Sequence, residues 1–157
     1  MKVQTKDWGG ALELNIHKTV IDTIQKNRQL STGSKERFGI LIGTKSATRD
    51  AYWVDAVTTP ARSDRSTRSS FLMQSPHHQE TLDEHFSKSN GEQIYLGTWH
   101  THPEYCPTPS CVDKRDWNRC RRRNRGRQLF FIIAGTEEIR VFIKRRLSYV
   151  PMTEVDE

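Results

Sequence analysis

The sequence predicts an α/β layered protein, on three observations. Short apolar runs have strand character, longer segments repeat their apolar residues at helical spacing, and the two kinds alternate along the chain. At 157 residues the chain is the size of one domain and long enough to bury a real core. Residues 1–157 are therefore expected to form a single unit, and no internal repeat appears.

Taken in order, Leu12 to Ile16 alternates apolar and polar residues, as a half-buried strand does. His17 to Leu30 sets Val20, Ile21, Ile24 and Leu30 near helical spacing and reads as an amphipathic helix, broken by Ser31 to Ser34. Phe38 to Gly43 is a buried strand, and Ala51 to Val57 is a second one able to pair with it as a hairpin. Thr58 to Ser70 is rich in Ser, Thr, Arg and Asp and has almost nothing apolar, so a long flexible flap is expected there, bearing Arg62, Arg65 and Arg68.

Ser75 and Pro76 look like the N-cap and first residue of a helix running to about Asn90 and ended by Gly91, with Leu82 and Phe86 facing the core. Ile94 to Trp99 is another strand, with Trp99 expected to pack rather than to touch a substrate. Asp113 to about Arg125 should be helical with Trp117 inward. Leu129 to Gly135 is a strongly apolar strand that pairs across Gly135 to Glu138 with Ile139 to Lys144. The tail from Ser148 is expected to be weakly structured.

Composition narrows the function classes. Charged residues make up 28% and hydrophobic ones 34%, and no apolar run approaches the roughly 20 residues that span a bilayer. The N-terminal stretch has no apolar core of a secretory signal, which predicts a cytoplasmic protein without a membrane partner. Three cysteines, Cys106, Cys111 and Cys120, are too few and too odd for a disulfide framework, and incidental thiols are the simplest reading. A second zinc site would have to recruit His77 or His78, with nothing else to favour it. The net charge of +6 is concentrated in Arg119, Arg121, Arg122, Arg123, Arg125 and Arg127. That cluster suits either an acidic partner or a solvated helix end. No aromatic residue is interleaved with it, which argues against nucleic acid.

The chemistry is concentrated in His100-Thr101-His102, then Ser110 and Asp113. Histidines two apart on an extended backbone point to one face, and the stiff Pro103, Pro107 and Pro109 segment turns the chain back to bring in Asp113. Two imidazoles and a carboxylate suit zinc, and three protein ligands leave a position open for water. Ser110-x-x-Asp113 is also a helix-capping pattern, and one turn can do both. Upstream, Glu36 leads directly into the buried strand Phe38 to Gly43, a position awkward for a carboxylate unless it faces a site.

The pairing of Glu36-x-x-Gly39-x-Leu41-x-Gly43 with His100-x-His102-x(7)-Ser110-x(2)-Asp113 resembles the JAMM metalloprotease family, also called JAB or MPN-plus, over nearly the whole chain. The resemblance implies a cytidine-deaminase-like fold, with a mixed central sheet flanked by helices. It implies one catalytic zinc held by His100, His102 and Asp113. Glu36 is implied as general base and acid, and Ser110 as the oxyanion stabiliser. Substrate-binding residues are not indicated.

The stretch from Gly97 to Ser110 is most similar to the small bacterial JAB proteins found beside E1-like and E2-like conjugation proteins in CBASS antiphage operons. By that likeness the substrate is a cGAS-like nucleotidyltransferase joined through an extended C-terminal tail to other proteins. The alternative is a peptidase that deconjugates or matures another bacterial ubiquitin-like or sulfur-carrier protein. A catalytically silent scaffold, a nucleic-acid binder and a purely structural zinc protein are the rival readings. The first is disfavoured because no ligand or base residue is missing.

Overall fold

The structure, a computed structural model, describes residues 1–7 and 10–155. Strands β1 (Lys2–Asp7), β2 (Gly10–Ile16), β3 (Phe38–Lys45), β4 (Ala51–Val57), β7 (Ile94–Thr101), β8 (Phe130–Ala134), β9 (Ile139–Arg145), β10 (Ser148–Pro151) and β11 (Thr153–Glu154) form one mixed sheet. Its order is β10-β9-β8-β7-β3-β4-β2-β1-β11. A separate two-stranded ribbon joins β5 (Arg65–Ser66) to β6 (Phe71–Leu72). Helices α1 (Lys18–Lys26), α2 (His77–Lys88) and α3 (Cys111–Arg123) complete the elements of the described residues.

Alternation along β8 builds two cores. Phe130, Ile132 and Ala134 join Leu14, Ile24 and Leu41 on the face that α1 covers. Phe131 and Ile133 turn to the opposite face and pack with Trp117 of α3 and Phe142. Stacking of Trp117 on Phe131, with centroids 4.7 Å apart, seats α3 and so fixes where its N-terminus lies. The sheet also curls. β10 and β11 lie at opposite ends of the strand order yet are separated by one residue, Met152, which is buried and donates its N–H to the Val141 carbonyl.

Two glycines permit this packing near the site. A side chain at Gly39 would collide with the Thr58 carbonyl, and one at Gly97 with the Phe130 carbonyl; Gly97 also has φ +133°. The expected hairpins β3–β4 and β8–β9 are present, and β4 additionally pairs in parallel with β2.

Several expectations are corrected. Helix α1 stops at Lys26, and Leu30 is exposed, because Asn27 closes the helix by bonding back to Gln25 and Ile24. Helix α2 starts at His77, with Ser75 outside it accepting from the His77 N–H; Phe86 is exposed and His78 is the residue it buries. The tail is not weakly structured: Ser148 onward supplies β10 and β11, while its last residues, Asp156 and Glu157, lie outside the described ones. Strand β1 went unread because Val3 is the only strongly apolar residue in it. The segment 58–70 contains β5, and Asp64 within it accepts from the Ala61 and Gln74 N–H groups. Among the described residues no helix is long and apolar enough to cross a membrane.

Candidate metal centre

Strand β7 delivers the first two residues of the centre. Its pairing with β3 sets His100 opposite Phe38, so Glu36 and Arg37 lead into β3 beside the end of β7. His100 and His102 point to one side and Thr101, between them, to the other, where it meets Gln29. Asp113 arrives from the first turn of α3. Ser110 is the N-cap: its Oγ accepts from the Asp113 N–H at 3.1 Å, while an Asp113 carboxylate oxygen accepts from the Ser110 N–H at 2.7 Å. This reciprocal capping box fixes the aspartate's backbone and aim together.

Two imidazoles and one carboxylate converge as a result. Nε2 of His100 and Nε2 of His102 are 3.1 Å apart; His100 lies 3.2 Å from one oxygen of Asp113 and His102 3.2 Å from the other. Bonds of the length zinc makes to nitrogen and oxygen give tetrahedral edges of about 3.3 Å, so these separations are those of neighbouring ligand atoms in such a site. Two protons do not fit there. If both rings donate from Nε2 to Asp113, two N–H groups face each other at 3.1 Å; if only one ring carries a proton at Nε2, that N–H must serve both the other ring and Asp113. Among the described residues, Nδ1 of both rings also lacks a hydrogen-bond partner. A cation placed among the three acceptors removes the conflict, and His100, His102 and Asp113 are the cluster able to hold a metal ion.

Electrostatics follow from burial. His100, 1% exposed, is pushed toward its neutral, ligating form by desolvation, against the pull of Asp113. Burial would raise the Asp113 pKa, but hydrogen bonds from His100 and His102 outweigh it and hold the group well below the usual carboxylate range. Burial opposes charge on His102 too, yet Asp113, Glu36 and Glu104 together push its pKa up. Glu36 is 3% exposed, and desolvation pushes it up to about 8; the charged groups it feels are His102 and Asp113, which places its carboxyl at the centre.

The surroundings include residues that sequence reasoning passed over. Phe71 of β6 stacks on Phe38 with centroids 4.4 Å apart and lies 5.4 Å from His100, just beyond the segment 58–70. Glu104 reaches within 3.8 Å of His102 Nδ1 while its carboxylate accepts from the Thr108 N–H. Trp99 is fully buried and donates to the Thr58 carbonyl, the packing role expected of it. His78 is committed elsewhere, and Cys106, Cys111 and Cys120 are free thiols, so the described residues hold no second cluster of three metal ligands.

The pattern describing prokaryotic homologs of the JAB domain matches residues 20–146. The chain belongs to this prokaryotic JAB family. Its α/β layered architecture is the one this membership requires. Relatives include proteins named CD-NTase/cGAS isopeptidase from three bacteria. The Vibrio cholerae protein is 35% identical over 64% of this chain and 63% of its own length. The Escherichia coli protein is 34% identical over 62% of each chain. The Pseudomonas aeruginosa protein is 30% identical over 73% of this chain and 72% of its own. The first two alignments thus span less than two thirds of those relatives. A protein of Desulfitobacterium hafniense solved in solution shares the JAB chain's fold, with a TM-score of 0.61 and 23% identity over 88% of each chain.

Proposed function

We propose that this JAB-family chain is a zinc-dependent isopeptidase. It releases a cGAS-like nucleotidyltransferase from proteins to which its C-terminus is conjugated, in a bacterial antiphage (CBASS) system that supplies E1-like and E2-like partners. The observation that carries this is the ligand triangle of His100, His102 and Asp113 beside a buried Glu36, in a chain aligned with three relatives bearing the isopeptidase name. In this reading residues 1–157 act as one domain in the cytoplasm.

His100, His102 and Asp113 would hold a zinc ion, which would supply the Lewis acidity that acidifies water and polarises a carbonyl. The rest is the work of side chains. Glu36, buried beside the ligand residues, takes a proton from the attacking water and passes it to the leaving amine. Ser110 uses its oxygen to accept from Asp113 N–H, which leaves its own O–H, at an exposed position, to donate to the oxyanion developing on the carbonyl. No covalent intermediate is needed, so the cysteines have no part in the reaction. A cleft of about 550 Å³ between Lys35 and the β5–β6 ribbon accommodates an extended tail, and a ribbon of only two strands offers edges for strand addition.

A second reading is that the chain deconjugates or matures another bacterial ubiquitin-like or sulfur-carrier protein. The test is cleavage of a fusion between a CD-NTase-like C-terminus and a reporter. Wild type should cut at the junction, while Glu36→Gln and chelator-treated wild type should not. A folded, zinc-loaded wild type that leaves this fusion intact but cuts a ubiquitin-like or sulfur-carrier fusion selects the second reading.

A further inference from the structure

Glu36 is held by its backbone. Its N–H donates to the Thr67 carbonyl at 2.7 Å, in the turn between β5 and β6. The next N–H, of Arg37, donates to Thr101 Oγ1 at 2.9 Å, on the residue between the two histidines. One anchor therefore belongs to the ribbon and the other to the metal-bearing strand.

A third residue joins these anchors. Gln29 is 1% exposed and lies just past α1. Its Nε2 donates to the Arg68 carbonyl and to the Ser34 carbonyl, each at 3.0 Å, and its Oε1 accepts from Thr101 Oγ1 at 2.8 Å. The amide orientation is forced, because both partners on the Nε2 side are carbonyl oxygens and only an NH2 group satisfies them. Thr101 links the two through its hydroxyl, accepting from the Arg37 N–H and donating to Gln29. The bonds close a ring: Glu36 to Thr67, along the chain to Arg68, across Gln29 to Thr101, and back through Arg37.

We infer that Gln29 is a positioning residue that sets the place of Glu36 over the metal centre and couples it to the place of the β5–β6 ribbon. The inference rests on the proton-transfer role proposed for Glu36. Within the ring the ribbon cannot shift without pulling on the Glu36 backbone, so a tail seated against the ribbon also presses the carboxyl into line. Displacement of a reacting group by about 1 Å is enough to cost two orders of magnitude in rate. Nothing in composition or periodicity marks Gln29; its role is visible only in its partners.

The test is amide hydrogen exchange on the metal-free, substrate-free protein, followed by kinetics. Gln29→Met keeps the volume and removes every bond the amide makes. Exchange at Glu36 and Arg37 should quicken about tenfold while Ile132 and Val141 keep their wild-type rates. Zinc affinity should stay within about twofold and kcat fall about tenfold. Unchanged exchange at Glu36 and Arg37 overturns the inference, and so does an equal acceleration at Ile132 and Val141, which marks general destabilisation.

Thr101→Val breaks the same ring at its other joint, with Thr101→Ser as the control that keeps the hydroxyl. The double variant Gln29→Met/Thr101→Val should exchange no faster than the more affected single variant, since a ring opens once. Multiplied effects overturn the coupling. If Gln29→Met does not fold, Thr101→Val against Thr101→Ser carries the exchange test alone. An inactive wild type would refute the isopeptidase reading, while the exchange arm still judges the ring.

Discussion

Among the described residues two buried clusters join histidine to aspartate, and they are opposites. Around His78 every valence is closed. Its Nε2 lies 2.7 Å from an Asp64 oxygen and its Nδ1 2.6 Å from Thr58 Oγ1. Asp64 in turn accepts from the backbone N–H groups of Ala61, Gln74 and Ser75. Around His100 and His102 the two Nε2 atoms and the Asp113 carboxylate crowd together, and both Nδ1 atoms lack hydrogen-bond partners among the described residues. A histidine beside an aspartate is thus not by itself a sign of chemistry. What distinguishes a site is acceptors left over, and only the second cluster has them. The first is a latch that ties segment 58–64 to α2.

The sharpest way to break this comparison is to remove one histidine from each cluster. His102→Ala should abolish zinc binding, measured as metal per chain, and lower cleavage more than about a thousandfold with modest loss of stability. His78→Ala should leave one zinc per chain and cost about 2 kcal/mol in urea unfolding, because Asp64 and Thr58 lose a buried partner. Loss of zinc from His78→Ala would erase the distinction.

Glu36→Gln is the next largest effect, and it separates chemistry from binding within the open cluster. Cleavage should fall about a thousandfold while zinc stoichiometry is kept. Stability supplies a second readout in the metal-free protein. The folded pKa of Glu36 is raised to about 8, above its value near 4 in an unfolded chain, so the fold binds a proton that the unfolded state releases. That contribution is complete at low pH and is lost as pH rises toward 8. Urea melts from pH 5 to 8 should show the decline in wild type and less of it in Glu36→Gln.

The latch carries the opposite sign at smaller size. Burial works to raise the Asp64 pKa, but the three backbone N–H groups and His78 outweigh it and hold it at about 2. Its stabilising contribution, about 2 kcal/mol, is present above the ordinary carboxylate pKa and is lost as pH falls from about 4 toward 2. Asp64→Asn should flatten that acid limb. An unchanged acid limb would mean that the latch contributes nothing through the Asp64 charge.

Legibility in the sequence divides along the same line. His100, His102, Ser110 and Asp113 were readable because they sit in one short stretch whose spacing matches a local geometry, a strand end and a helix cap. The apolar strands β3, β7 and β8 were readable for the same local reason. Gln29, Phe71 and the His78 latch were not, because each is defined by partners far along the chain: Thr101 for Gln29, Phe38 for Phe71, Thr58 for His78. Strand β1 and the tail strands β10 and β11 are edge elements whose pairing, rather than their own pattern, makes them strands. Leu30 misled because helical spacing continued past the point where Asn27 had already capped α1.

The smallest effect is assigned to the thiols. Cys106 and Cys111 flank the metal loop in sequence, yet both are exposed and neither belongs to the ligand cluster. The ligand atoms of His100, His102 and Asp113 already converge without a thiol. The double change Cys106→Ser/Cys111→Ser should therefore keep one zinc per chain and cleavage within about twofold of wild type. Hydroxyl oxygen is a far poorer zinc ligand than thiolate, so any real sulfur ligation would show as lost zinc under competition with a chelator. Such a loss would mean that the open cluster is not complete with three ligands, and the contrast with the latch would have to be redrawn around four.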